Sequence, residues 1–317
     1  MGLIEAFALQ AAQALLVIAI APLVTGVVRK TKARLLMRRG ASVFQPYRDL
    51  LRLSRKEAVL AVNASWLFRA APYVIFAFTW LAATLVPTFA FDLPLGPSAD
   101  LIAIVALLAS ARFVLALAGL DIGTGFGGIG ASREVLIASL AEPALLMVIF
   151  ALALVAGSTQ LSAIADFVQS PAVGLRTSLG LTLVGLIMIA IAENGRYPID
   201  NPDTHLELTM IHEAMVLEYS GRHLALIEAA SSLKLVFYIS LIAAIFQPWG
   251  NQFEDGGLRY FVALGAYLAK TLGSAVLLGA FEVTVAKMRV FRVPQFIGVA
   301  LMFGLLAGLL RLVLRGM

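Results

Sequence analysis

Seven ionisable side chains lie in or at the edge of long apolar stretches: Arg112, Arg133, Glu134, Glu142, Lys234, Lys270 and Glu282. A charge at bilayer depth costs about 3 kcal/mol or more unless it is paired or hydrated, so such residues mark ion paths or helix-gluing ion pairs. Both signs occur, as along a polar axis through a helix bundle. Glu134 and Glu142 are two helical turns apart, so both can face one axis. The second concentration runs from Glu193 to His223 and reads ENGRYPIDNPDTHLELTMIHEAMVLEYSGRH. Asn201-Pro202 reads as an N-cap with proline at the first helical position, and Ser220-Gly221 as a stop. The spacing predicts an acid-rich helix of about 18 residues between them. On it Asp203 and Glu207 are one turn apart, Glu218 returns near the angular position of Glu207, and His205 and His212 share another face. Carboxylates at such spacing suit a proton path, because burial and like-charge neighbours favour proton uptake. The plain alternative is a solvated acidic helix.

The elements that carry these residues follow from composition. Of 317 residues, 61% are hydrophobic and 14% charged, and the mean hydropathy is +0.92. Such a chain lacks the polar residues to coat a water-soluble domain and must face lipid. Continuous apolar runs, at ~20 residues per crossing, fall at roughly 3–28, 68–90, 101–120, 133–157, 176–193, 224–247, 259–284 and 293–315. The expected fold is an all-α, polytopic transmembrane bundle of eight spans in a single membrane domain, 1–317. The first run lacks the basic leader and cleavage site of a signal peptide and reads as a span. Arg29, Lys30, Lys32, Arg34, Arg38, Arg39, Arg48, Arg52, Arg55 and Lys56 follow it. The positive-inside rule makes that connection cytoplasmic. The segments near 91–100, 158–175 and 248–258 contain no Lys or Arg, whereas Lys287, Arg289 and Arg292 return near 286–293. Both termini are then expected on the outer side, and the net charge of +5 reflects topology rather than nucleic-acid binding.

Two cytoplasmic segments exceed mere links. Residues 29–65 place Leu50, Leu51 and Leu53 against Arg48, Arg52, Arg55 and Lys56. That pattern suits an amphipathic helix on anionic headgroups or a docking floor for a soluble partner; 193–223 is the other segment. There is no cysteine, so no iron–sulfur cluster is held by thiolates of this chain. The three histidines sit in one connection, which argues against a bis-histidine haem, and no metal-ligand spacing occurs. The glycine-rich run at 119–130 follows no strand and reads as a flexible turn rather than a nucleotide site. Electron carriers, if the protein serves redox chemistry, belong to other chains.

These residues carry a family resemblance. Glu193, Arg196, Pro198, Asp200, Glu207, Leu208 and Glu218-Tyr219-Ser220-Gly221 resemble the loop signature of a membrane protein family. Its members are the first membrane subunit of respiratory NADH:quinone oxidoreductase and the corresponding subunit of the energy-converting membrane-bound NiFe hydrogenases. Arg38-Arg39-Gly40, then Gln45-Pro46 with Asp49, Arg52 and Lys56-Glu57, resembles the family's first signature. Leu120-Asp121, Gly130-Ala131-Ser132-Arg133-Glu134 and Glu142-Pro143 are similar to the hydrogenase-type branch that includes the fourth subunit of formate hydrogenlyase. The chain departs from the family at His205, at Ala41, and in a few extra residues around Ile211 to Ala214.

The resemblance implies a non-catalytic junction subunit in a bacterial inner membrane. A hydrophilic arm, with iron–sulfur subunits and a NiFe-type large subunit (or flavin), is expected on Arg38, Arg39, Gln45, Asp49, Arg52, Lys56, Arg196 and Asp200. Protons or Na⁺ are expected to move by way of Glu134, Glu142, Glu193, Asp203, Glu207, Glu218, Lys234, Lys270 and Glu282 toward antiporter-like neighbours. Glu142, Lys234, Lys270 and Glu282 form the expected line across the bundle. Two alternatives stay open: a quinone-binding respiratory subunit, whose pocket the docking residues would line, and a stand-alone ion transporter.

Overall fold

The structure, a computed structural model, describes residues 3–90, 93–169, 177–200, 211–247, 258–286, 288 and 292–315. Among the described residues the chain is helical: α1 (Leu3–Leu35), α2 (Gln45–Ser54), α3 (Trp66–Leu85), α4 (Leu101–Asp121), α5 (Gly125–Ala156), α6 (Leu161–Gln169), α7 (Thr177–Glu193), α8 (His212–Val216), α9 (Gly221–Phe246), α10 (Leu258–Thr284) and α11 (Val293–Arg315). Seven of these, α1, α3, α4, α5, α9, α10 and α11, are long and apolar enough to cross a bilayer. The shorter apolar α7 occupies the remaining expected span. The chain is a multi-pass membrane protein built from helices.

Local chemistry sets the helix boundaries. Ser65, Asp100 and Thr124 cap α3, α4 and α5, accepting hydrogen bonds from the amides of Leu67 (3.0 Å), Ile102 (2.7 Å) and Gly127 (3.2 Å). Asp100 also accepts from the Thr159 hydroxyl, which ties the start of α4 to the segment leading into α6. Gly157 ends α5 at φ +77°, its amide donating to Ala153 at 2.7 Å.

Three connections differ from the sequence expectation. The first span continues through its basic residues to Leu35, because Arg29, Lys30, Lys32 and Arg34 are themselves good helix formers. The glycine-rich run is no flexible turn. Only Ile122–Thr124 connects two helices there, and Gly125 to Gly130 form the first turns of α5. A Cβ on Gly127 would strike the Gly119 carbonyl, so the glycines serve the close approach of α4 and α5. The predicted acidic helix is not continuous either. Ile211 has a non-helical backbone (φ −120°, ψ −78°), α8 runs only from His212 to Val216, and Glu218 lies beyond its end. Glu218 therefore lies outside α8. Asp203, His205 and Glu207 lie outside the described residues.

In the bundle α1 packs against α9 and α10, α3 against α4 and α9, and α11 against α5 and α7. Val17, Val24 and Val28 of α1 share one buried core with Val148 of α5, Ile189 of α7 and Val236 of α9. A Cβ on Gly185 or Gly304 would press on Val148 at 3.1 or 3.0 Å, so small residues let α5, α7 and α11 approach closely, as lipid-embedded helices do. Outward-facing Phe261, Leu277, Met302 and Leu309 give α10 and α11 an apolar exterior.

Candidate functional site

Four helices converge on Arg112. It sits in the interior of α4, 7% exposed. Its guanidinium lies 3.4 Å from Glu134 and 3.8 Å from Glu142 of α5, and directly against the Glu193 carboxylate at the end of α7. Lys234 of α9 places its ammonium 3.1 Å from the same Glu193 carboxylate. Glu134 and Glu142 reach one guanidinium because two helical turns, ~12 Å along α5, put both on the same face. Three carboxylates share two cations, so the cluster carries one excess negative charge when all are ionised. Glu142 is its accessible member, with 38% of its side chain exposed, whereas Glu193 is enclosed.

A second cluster lies one turn of chain away. After Glu193 the backbone reverses through Gly195 (φ +54°), and the Arg196 amide donates to Ile191 at 3.1 Å. This turn delivers Arg196 to Glu282 of α10 (3.5 Å), which also meets Lys32 of α1 (3.0 Å). The Glu282 side chain is 1% exposed. The Lys32 ammonium sits 5.0 Å from the centre of the Tyr197 ring. Only Asn194 and Gly195 thus separate two ionic groups, one centred on Arg112 in the interior of α4 and one at the basic end of the bundle.

Beside them the two long segments are clamped together. The Tyr219 ring stacks on Phe68 (3.9 Å between centroids, 6° between planes), and its hydroxyl donates to the Phe68 carbonyl at 3.1 Å. Burial first, then the Asp121 carboxylate, pushes that hydroxyl well above its usual range, so it remains a donor. Ser220 accepts from the Val59 amide (2.8 Å) and donates to the Val59 carbonyl (3.0 Å). Gly221, at φ +53°, abuts the carbonyls of Lys56 and Glu57.

The expected site residues divide accordingly. Glu134, Glu142, Glu193 and Lys234 come together through Arg112; Arg196 and Glu282 come together through Lys32. Of the expected line Glu142, Lys234, Lys270 and Glu282, the first two share the Arg112 cluster. Lys270 is buried twelve residues from Glu282 on the same helix, ~18 Å away, too far for direct contact. Asp200 is buried beside the Arg196 turn, and Glu218 is exposed. Arg38 and Arg39 are exposed, the Arg39 carbonyl accepting from Lys30 at 2.7 Å. Gln45 and Arg52 both donate to Asp49, at 3.0 and 3.3 Å, and Lys56 is exposed.

Sequence reasoning did not assign Arg112 as the hub, Lys32 as a partner of Glu282, or Glu213. Burial, and after it the Glu228 and Asp200 charges, raise the Glu213 carboxyl, only partly offset by His212 and Arg29. A lone arginine deep in an apolar run was the available signal for Arg112. Nothing local marked the other two.

Residues 8–313 match the NADH dehydrogenase family. The chain belongs to that family. It is 35% identical over 297 residues to formate hydrogenlyase subunit 4 of Escherichia coli (strain K12), covering 93% of this chain and 95% of that protein. It is 36% identical over 291 residues to hydrogenase-4 component C of the same organism, covering 91% and 90%. The fold matches a chain in the structure of the membrane-bound sulfane sulfur reductase, an archaeal respiratory membrane complex. The TM-score is 0.76 at 20% identity, over 95% of this chain and 99% of that one.

Proposed function

We propose that this chain is the membrane junction subunit of an energy-converting oxidoreductase of the hydrogenase or formate hydrogenlyase type. It forms a single membrane domain whose basic end faces the cytoplasm of a bacterial cell, with both termini outside. There the clamped 29–65 and 193–223 segments carry a hydrophilic arm that holds the NiFe and iron–sulfur centres. The chain itself holds no electron carrier; it transmits charge. The observation that carries this reading is a pair of ionic groups, Lys32, Glu282 and Arg196 in one and Glu193, Arg112, Lys234, Glu134 and Glu142 in the other, joined by the backbone turn from Glu193 to Arg196. The first group lies at the basic end, where the arm would sit, and the second includes the partly exposed Glu142, where an antiporter-like neighbour can take over.

The physical logic is electrostatic. A charge change in the arm acts on Arg196 and Glu282 first. In low dielectric their field reaches the neighbouring cluster weakly screened. A cluster with one carboxylate more than it has cations can answer by taking up or releasing one proton, and Glu142 gives that proton a way out. The direct test is Glu142→Gln or Glu193→Gln in the assembled complex, with electron transfer and ion translocation measured together. The reading expects electron transfer to persist while translocation falls at least tenfold. Undiminished translocation in both variants overturns it. Copurification of soluble metalloprotein subunits separates it from a stand-alone transporter, and a quinone-site inhibitor that blocks turnover points to the quinone-binding alternative.

A further inference from the structure

The basic segment after α1 does not lie across the end of the bundle; it folds back along α1 and climbs again. Gly40 packs on Ala33, Lys30 reaches the carbonyls of Arg39 and Gly40, and Val43 sits so tightly on Gly26 that a Cβ there would strike its carbonyl oxygen. The Tyr47 hydroxyl then donates to the Ala19 carbonyl. From that low point α2 rises until Lys56 and Glu57 meet Gly221 at the start of α9.

The depth of this hairpin can be read against α1. Residues 6–28 contain no charge and span about 34 Å at 1.5 Å per residue, enough for the ~30 Å hydrocarbon layer. Arg29 therefore marks the headgroup level. Gly26, where Val43 rests, is about 4 Å below it, and Ala19 about 15 Å below. The tip of the hairpin is immersed, and Arg48 lies one turn beyond Phe44 on the limb that rises from it toward Lys56 and Glu57.

The outward face of α2 matches that position. Pro46, Leu50 and Leu53 turn toward the bundle, whereas Phe44 (59% exposed), Arg48, Leu51 (58%), Arg52 and Arg55 turn away. Arg48 and Arg55 meet no carboxylate among the described residues, and Arg52 has only Asp49. We propose that this face binds an anionic phospholipid, with Arg48 and Arg52 holding the headgroup phosphate, Arg55 adding charge, and Phe44 and Leu51 against the acyl chains. A soluble partner would have to enter the headgroup layer to cover it. The inference does not depend on the proposed function, and it leaves the exposed Arg38 and Arg39 to the arm.

The test uses the full chain in nanodiscs of phosphatidylcholine with phosphatidylglycerol, counting retained lipids by native mass spectrometry. Each arginine near an anionic surface contributes about fivefold in affinity, so Arg48→Gln/Arg52→Gln should cut the preference for phosphatidylglycerol by about 25-fold. The Arg48→Lys/Arg52→Lys variant should keep most of it. A spin label on a Phe44→Cys variant should relax with lipid-soluble oxygen rather than with a water-soluble nickel complex, both alone and in the assembled complex. An unchanged lipid preference in the Gln variant, a label quenched from water, or crosslinks from position 44 to a soluble subunit would each overturn the proposal.

Discussion

Replacing Arg112 with Gln leaves three carboxylates around one remaining cation. The two approaches of 3.4 Å to Glu134 and 3.8 Å to Glu142 correspond to about 5 and about 4 kcal/mol of gross attraction at an effective dielectric of about 20. Much of this is offset by the cost of removing the charges from water. The Glu142 share must be discounted further, because that side chain is 38% exposed. Orphaned carboxylates remain the larger consequence, and breaking a buried pair from one side costs about 3–5 kcal/mol. The assay is reversible unfolding of the full chain in mixed micelles, titrated with a denaturing detergent. Arg112→Gln should lose about 3–5 kcal/mol. Adding Glu193→Gln removes the carboxylate lying directly against the guanidinium, and the double variant should recover at least ~2 kcal/mol relative to the sum of the single variants. Arg112→Lys should fall between, since an ammonium cannot span three carboxylates. If Arg112→Gln stays within ~1 kcal/mol of the parent, or if the cycle is additive, the cluster is not energetically connected and the reasoning fails.

Three further outcomes follow from the geometry. Glu282→Gln should destabilise by about 3 kcal/mol by removing the buried carboxylate that meets Lys32 and Arg196, and adding Lys32→Met should restore part of that in the same unfolding assay. Gly221→Ala should cost at least ~2 kcal/mol, because the residue sits at φ +53° against the carbonyls of Lys56 and Glu57; limited proteolysis should then cut within 29–65 more readily. The folded-state carboxyl of Glu213 is raised above its ordinary 4.5. Its contribution to stability is therefore fully present below that value and lost as pH rises through the raised one. Glu213→Gln should flatten this slope, so the parent gains on the variant as pH falls, as unfolding measured across acidic and neutral pH will report.

The spans were legible because each is a continuous apolar run near the length of a crossing, a property of one segment at a time. The presence of charges inside them was legible for the same reason. Their pairing was not. Arg112, Glu134, Glu142, Glu193 and Lys234 come from four helices whose rotations are set by packing, and eight-residue spacing on α5 was the single clue a sequence could offer. The acidic segment misled because local signals there favour helix, whereas the backbone at Ile211 leaves it. The glycines at 119–130 misled in the opposite direction, since a residue suited to turns also suits crowded helix crossings. Tyr219, Ser220 and Gly221 stood out as a motif, but their use as a clamp on Val59, Phe68 and Glu57 depends on contacts far away in the chain.

That clamp has a consequence for biosynthesis. The Ser220–Val59 hydrogen bonds join residues 161 positions apart. At roughly 5–20 residues per second, translation leaves the basic segment waiting about 8–30 s before its fastener leaves the ribosome. The turns that α2 makes on α1 are available from the outset, but the chain between α2 and α3 is secured only when α9 begins to insert. A nascent chain halted before Tyr219 would therefore present an unlatched segment to proteases and chaperones, so the quality of this surface is decided late in synthesis.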